Sequence, residues 1–136
     1  MSELNLYQAE QTARDGSATR FVYDPEADML EIFFGENQPA TGVELTADIV
    51  LRLNRQTRQP VSLTLLHFSI LTEQTEYGPR SFPLNALEEA PEELRELALH
   101  LATSKPVSRF LKLTSFQASP TEWRPFTYVD AQPISV

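Results

Sequence analysis

The chain has no cysteine, so no disulfide framework, thiol nucleophile, zinc ribbon or iron–sulfur cluster can be built from it. That absence fits a reducing compartment. Long apolar runs are missing too, and no stretch reaches the roughly 18 residues of a membrane span. The opening segment, Met1-Ser2-Glu3-Leu4-Asn5-Leu6-Tyr7, has neither a basic region nor an apolar core. A secretory leader is therefore not expected, and the cytoplasm is the expected compartment. With only two histidines, any transition-metal site would have to lean on carboxylates. The sequence also lacks a phosphate-binding glycine loop, a Gly-x-Ser-x-Gly elbow, an RNA-binding aromatic signature and a helix-turn-helix glycine. No cofactor is expected on these grounds.

Basic residues are in the minority, 11 against 19 acidic, for a formal net charge of −8. A field of that sign repels phosphate backbones, so nucleic acid is not an expected partner, and neither is a membrane. The small cluster Arg52, Arg55 and Arg58 brackets a turn and reads as a solvated loop. What remains is ordinary for a globular chain: 136 residues, 41% hydrophobic and 22% charged. A chain of that length buries roughly two-thirds of its unfolded surface and can build a core without staples. One domain over 1–136 is the expectation.

Residues 1–18 are polar and aperiodic and read as a loosely ordered arm. From Arg20 onward the pattern is that of strands. Phe21-Val22-Tyr23 stops at Asp24-Pro25-Glu26-Ala27-Asp28, where proline fixes φ and the aspartates favour side-chain-to-backbone turns. Met29 to Phe34 then alternates, with Leu30, Ile32 and Phe34 on one face and Met29, Glu31 and Phe33 on a wetter one. A hairpin of 20–24 with 29–34 follows. Val43 to Leu45 and Asp48 to Leu53 supply further strands, the latter with Ile49, Leu51 and Leu53 inward and Arg52 outward. The apolar run Val61 to Leu71 shifts phase between Leu65 and Leu66, which predicts a bulge. Residues 20–71 thus predict an antiparallel β-meander of about five strands.

The second half changes character. Pro91 is placed as a first helical residue, Glu92 and Glu93 fall in the first turn, and Leu94, Leu97, Ala98 and Leu101 make the apolar stripe of a helix over 91–103. Val107 to Phe116 reads equally as a strand or a short second helix. The tail over 120–136 reads as an extended arm or edge strand, because Pro125 interrupts Trp123-Arg124-Pro125-Phe126-Thr127-Tyr128-Val129. The fold class is α+β: a sheet of about five strands, one main helix packed on a face, and an extended C-terminal arm.

Residues 23–32, Tyr-Asp-Pro-Glu-Ala-Asp-Met-Leu-Glu-Ile, resemble the opening motif of a small bacterial family, domain-of-unknown-function family 2283. Tyr23, Asp24, Glu26, Asp28, Leu30 and Ile32 carry the match. A later stretch over 48–54 and a closing strand with Leu63, Leu65, Leu66 and Ser69 are similar, though Ser62 and Thr64 stand where the family has glycine and glutamate. The resemblance covers about 20–71 and implies a β-meander without an established activity. It also implies a partner-binding role, in the manner of members that pair with small toxin-like proteins.

Two functional readings follow. In the first, the protein is a non-catalytic binding module, self-associating or holding a protein partner through the sheet face around Phe33 and the tail residues Trp123, Arg124, Phe126 and Tyr128. That tail has the composition of an interface hot spot, and it suits a protomer's own core equally well. In the second, Asp24, Glu26, Asp28 and His67 form a metal-dependent or acid–base hydrolytic site. The Asp24–Asp28 spacing departs from a calcium loop, since Met29 and Gly35 occupy the sixth and twelfth positions counted from Asp24. Turn chemistry favours the plainer role, with Asp24 and Asp28 capping the turn and Glu26 in water. His67 and Ser69 share a strand parity but lack a visible orienting group, and His100 falls off its helix stripe.

Overall fold

A computed structural model describes residues 7–12, 18–76, 78–79, 81–119 and 122–130. Its main feature is a sheet built from β1 (Tyr7–Thr12), β2 (Ala18–Asp24), β3 (Met29–Phe34), β4 (Thr41–Thr46), β5 (Ile49–Asn54) and β6 (Gln59–Leu66). After β6 come the single turn α1 (Phe68–Leu71), the two-residue strands β7 (Gln74–Thr75), β8 (Gly78–Pro79) and β9 (Phe82–Pro83), and a 3₁₀ turn over Ala86–Glu89. The chain continues through helix α2 (Glu92–Ala102), a second 3₁₀ turn over Val107–Arg109, β10 (Leu111–Ser119) and β11 (Glu122–Val129). The α+β class expected from the sequence holds.

The six-stranded sheet is antiparallel, in the order β1-β2-β3-β6-β5-β4. Two three-stranded meanders are joined through β3 and β6, with Ile32 opposite Leu63 and Leu30 opposite Leu65. The alternation read from the sequence decides the buried face. Leu30, Ile32, Phe34, Ile49, Leu51, Leu53, Leu63 and Leu65 all enter the core. Leu97, Ala98 and Leu101 of α2 cover that face, together with Phe110, Leu111 and Val129. The phenyl ring of Phe110 stands edge-on to Phe21, centroids 5.7 Å apart, and 6.1 Å from Phe34. A second sheet, β10-β11-β9, and the small β7-β8 pair complete the fold.

The hairpin of β2 and β3 and that of β5 and β6 share one construction. In the first, Asp24 Oδ1 accepts from the N–H groups of Glu26 and Ala27; in the second, Asn54 Oδ1 accepts from Gln56 and Thr57. Each loop then closes on a left-handed residue, Asp28 (φ 51°) and Arg58 (φ 58°). Aspartate tolerates that region better than most residues. Because β3 and β6 run antiparallel, the two turns lie at opposite ends of the sheet.

Several boundaries differ from expectation. The arm read over 1–18 contains β1, whose antiparallel pairing with β2 supplies the backbone partners that the polar sequence does not advertise; residues 1–6 and 13–17 lie outside the described residues. The phase shift at Leu65 and Leu66 is the end of β6 and not a bulge, because His67 turns left-handed (φ 53°) and Phe68–Leu71 forms a helical turn. A register irregularity sits earlier, where Arg52 pairs with Ser62 and Leu53 with Pro60, leaving Val61 as the extra residue. Pro60 has no N–H to give to the ladder, so the bulge falls where the pairing is already broken. Pro91 caps α2 and stands outside it, its carbonyl accepting from Arg95 at 2.8 Å. Residues 107–116 combine both alternatives, a 3₁₀ turn and then a strand. The tail forms β11 between β10 and β9 over 122–129, with 120–121 and 131–136 outside the described residues.

Candidate functional site

Polar side chains converge at the end of the sheet where the β2–β3 turn, the β4–β5 turn and the start of α1 meet. Asp28 is the hub. Its Oδ1 accepts from the Tyr23 hydroxyl at 2.8 Å and the Ser69 N–H at 3.1 Å, and its Oδ2 accepts from the Ser69 hydroxyl at 2.5 Å. The Asp28 carbonyl accepts from the Phe68 N–H at 2.9 Å. Three of these bonds fasten the first hairpin to a segment about forty residues later, and the Tyr23 bond ties Asp28 to its own hairpin.

The electrostatics follow from these bonds. The Ser69 hydroxyl holds the Asp28 carboxyl below its usual value, against an opposing effect of burial. The Tyr23 hydroxyl, the Ser69 N–H and nearby His67 act in the same sense. Tyr23 responds in the opposite direction: its bond to Asp28 pushes the phenol up, helped by burial and by the charges of Asp28 and Asp24.

His67 is the exposed neighbour. Its Nδ1 lies 3.0 Å from Asp48 Oδ1, and the Leu66 N–H donates to the Asp48 carbonyl at 2.8 Å. The histidine side chain is 62% exposed. Glycine at position 67 would relieve the left-handed backbone and lose an exposed pair, two small effects of opposite sign. His67→Gly is expected to change stability by less than about 1 kcal/mol in urea denaturation. A larger loss would show that the Asp48 contact holds more of the fold than its exposure allows.

The carboxylates of the 24–28 turn do not converge. Asp24 caps the turn as expected and Glu26 is exposed. Asp28 corrects the sequence reading, since it does not cap its own loop and reaches across to Ser69. The Ser69 hydroxyl donates to Asp28, whereas a nucleophile activated by His67 would have to donate to the imidazole. Among the described residues no three His, Asp or Glu side chains are grouped as a metal would require. One surface depression is walled by Thr46, Asp48, Phe82, Asn85 and Glu89, and His67 is not part of its lining. His100 is exposed, as its place off the stripe predicts.

The other candidate residues lie elsewhere. Phe33 is half-buried on the sheet face opposite the core, with the Arg20 guanidinium 4.4 Å above its ring centroid. Trp123, Arg124 and Phe126 lie on β11, their side chains outside what is described, and Tyr128 on the same strand is half-buried. Leu30 and Ile32 are core residues. Sequence reasoning missed Arg20, Asp48 and Ser62. Asp48 is nineteen residues from its partner His67, a separation with no local signature. Ser62 is the departure from the family glycine, and this alone could have drawn attention to it.

Sheet order, helix placement and turn clasp define an α+β protein on a six-stranded antiparallel sheet. Residues 20–69 match the family model described as "Protein of unknown function (DUF2283)". The resemblance seen in the opening motif extends over that segment, and the match ends on Ser69, the residue Asp28 holds. Tyr23, Asp28 and Ser69, from the two ends of the family pattern, thus serve one clasp. No curated protein and no solved structure matches the chain.

Proposed function

We propose that this protein is a non-catalytic cytoplasmic interaction module, binding protein through the sheet face that carries Phe33. One observation supports the reading above the others: a partly apolar sheet face that lies outside the core among the described residues. Val22, Met29, Phe33, Val50 and Leu66 alternate with core residues on β2, β3, β5 and β6, and all five are half-buried. None belongs to the core cluster or is among the side chains packed against it, whereas α2 and the second sheet are committed to the core side. Apolar side chains interspersed with charged ones on a sheet face have the mixed character of a protein contact. No helix among the described residues is long and apolar enough to cross a membrane, and a charge of −8 opposes polyanionic partners.

The test is a native mass spectrum of the gently purified protein beside Phe33→Glu. The wild type should carry a stoichiometric protein mate, and the variant should lose it with an unchanged circular dichroism spectrum. A wild-type monomer, bare or carrying a metal or small molecule, overturns the reading.

A further inference from the structure

We infer that the occupant of this face is a second copy of the chain, packed face to face across a two-fold axis that crosses the strands between two rows of side chains. The inference rests on the interaction-module reading and specifies its partner. The first row is Arg20 (β2), Phe33 (β3), Ser62 (β6), Arg52 (β5) and Gly42 (β4), set side by side by the strand register. The next row, two residues along, is Val22, Glu31, Thr64, Val50 and Glu44 on the same strands. Two arginines lie in one row and two glutamates in the other, so the face is locally balanced on a chain with an excess of acid. Among the described residues none of the four is in an ion pair.

A two-fold contact must be complementary to itself. An axis running across the strands, midway between the rows, sets each row against the other row of the second copy. Arg20 is carried over Phe33 by its stacking, which brings its guanidinium opposite Glu31 of the second copy. Glu44 arrives over Gly42, where there is no side chain, and beside Arg52 on the adjacent strand, about 4.8 Å away. Ser62 is already wholly buried within one copy, on the strand parity of Phe33 and Arg52, so it lies beneath the contact and takes no part in it. The alternative axis, along the strands between β3 and β6, would set Arg20 against Arg52 and is disfavoured by like charge.

The dimensions suffice. A face six strands wide and about six residues long measures roughly 29 by 20 Å. With side-chain relief this approaches the about 800 Å² per partner of a standard interface.

The experiment uses two variants of the full chain, Arg52→Glu and Glu44→Arg, in sedimentation velocity at matched concentrations. Each alone sets like charges across the axis and should weaken dimerisation by at least about tenfold. Mixed one to one, they restore both opposite-charge contacts, so the mixture should dimerise as the wild type does. Rescue in the mixture requires contact between copies, and misfolding of either variant would abolish it; thermal melts of the two singles confirm their folding. A wild-type dimer indifferent to both changes, or a mixture that stays monomeric while both variants are folded, overturns the proposed pairing and leaves the Phe33 result standing. A wild-type monomer that loses a different protein on Phe33→Glu overturns the second copy alone. A wild-type monomer with no protein mate overturns both readings.

Discussion

Phe110→Ala is expected to destabilise the protein by about 3–5 kcal/mol, the cost of emptying a fully packed aromatic site. The ring is wholly buried and sits between Phe21 of β2 and Phe34 of β3. It also stands where the chain passes from the 3₁₀ turn into β10, and its carbonyl accepts from the Asp130 N–H at 2.8 Å, just beyond β11. Truncation therefore opens a cavity between the two sheets, in a place where neither can collapse without breaking its own ladder. At about 3–5 °C per kcal/mol for a chain of this length, the melting temperature should fall by at least about 10 °C. Phe110→Leu retains most of the volume and should cost less than half as much. Urea midpoints for the pair would decide, and a loss under about 1 kcal/mol for alanine would show that the ring does not join the sheets.

Asp28→Ala is expected to cost about 2–4 kcal/mol, through two separable effects. Removing the carboxylate strands the Ser69 N–H and the Tyr23 and Ser69 hydroxyls, and bonds to a charged acceptor contribute about 1.5–3 kcal/mol where water is excluded and less at this half-exposed site. Alanine is also a poorer occupant of the left-handed backbone, by about 1 kcal/mol. Asp28→Asn keeps the backbone preference and one acceptor, so it isolates the charge. Because the fold lowers the pKa of Asp28, the carboxylate stabilises the native state fully above its unfolded value, near pH 4. That stabilisation is lost as pH falls through the lower, folded value. The gap between wild type and Asp28→Asn should therefore be widest at neutral pH and close below about pH 4. A gap of equal size at pH 7 and pH 3 would mean that hydrogen-bond geometry and not charge carries the effect.

The sheet was legible because alternation is a strong signal where one face is buried. Leu30-Ile32-Phe34 and Ile49-Leu51-Leu53 mark their inward faces plainly, and the Asp-Pro turn marks the hairpin between β2 and β3. The order of strands was not legible. Nothing local says that β3 pairs with β6 in place of β4, since that choice is made by the packing of distant leucines. β1 was missed because Tyr7–Thr12 is exposed along nearly its whole length and needs no apolar face. At the clasp, turn rules identified Asp24 correctly and assigned Asp28 the same task, whereas its left-handed backbone turns the carboxylate toward Ser69. The face proposed for contact was visible as Phe33 alone. Its arginine and glutamate rows exist only once strands from both meanders lie side by side.

The two matching hairpin turns have unequal fates. Asp28 ties the first to α1, whereas its counterpart Arg58 is exposed and makes no such attachment among the described residues. The sheet is thus held more tightly at the first end, since at the second turn the described tie to a distant segment is the Asn54 Nδ2 bond to Gln38 Oε1 at 2.8 Å, and motion should grade along the strands. In hydrogen–deuterium exchange, amides near Asn54–Gln59 should open sooner than those near Asp24–Met29. The looser end is also where loop insertions or a tethered label would be borne with least disturbance, a direction of tolerance set by a single aspartate.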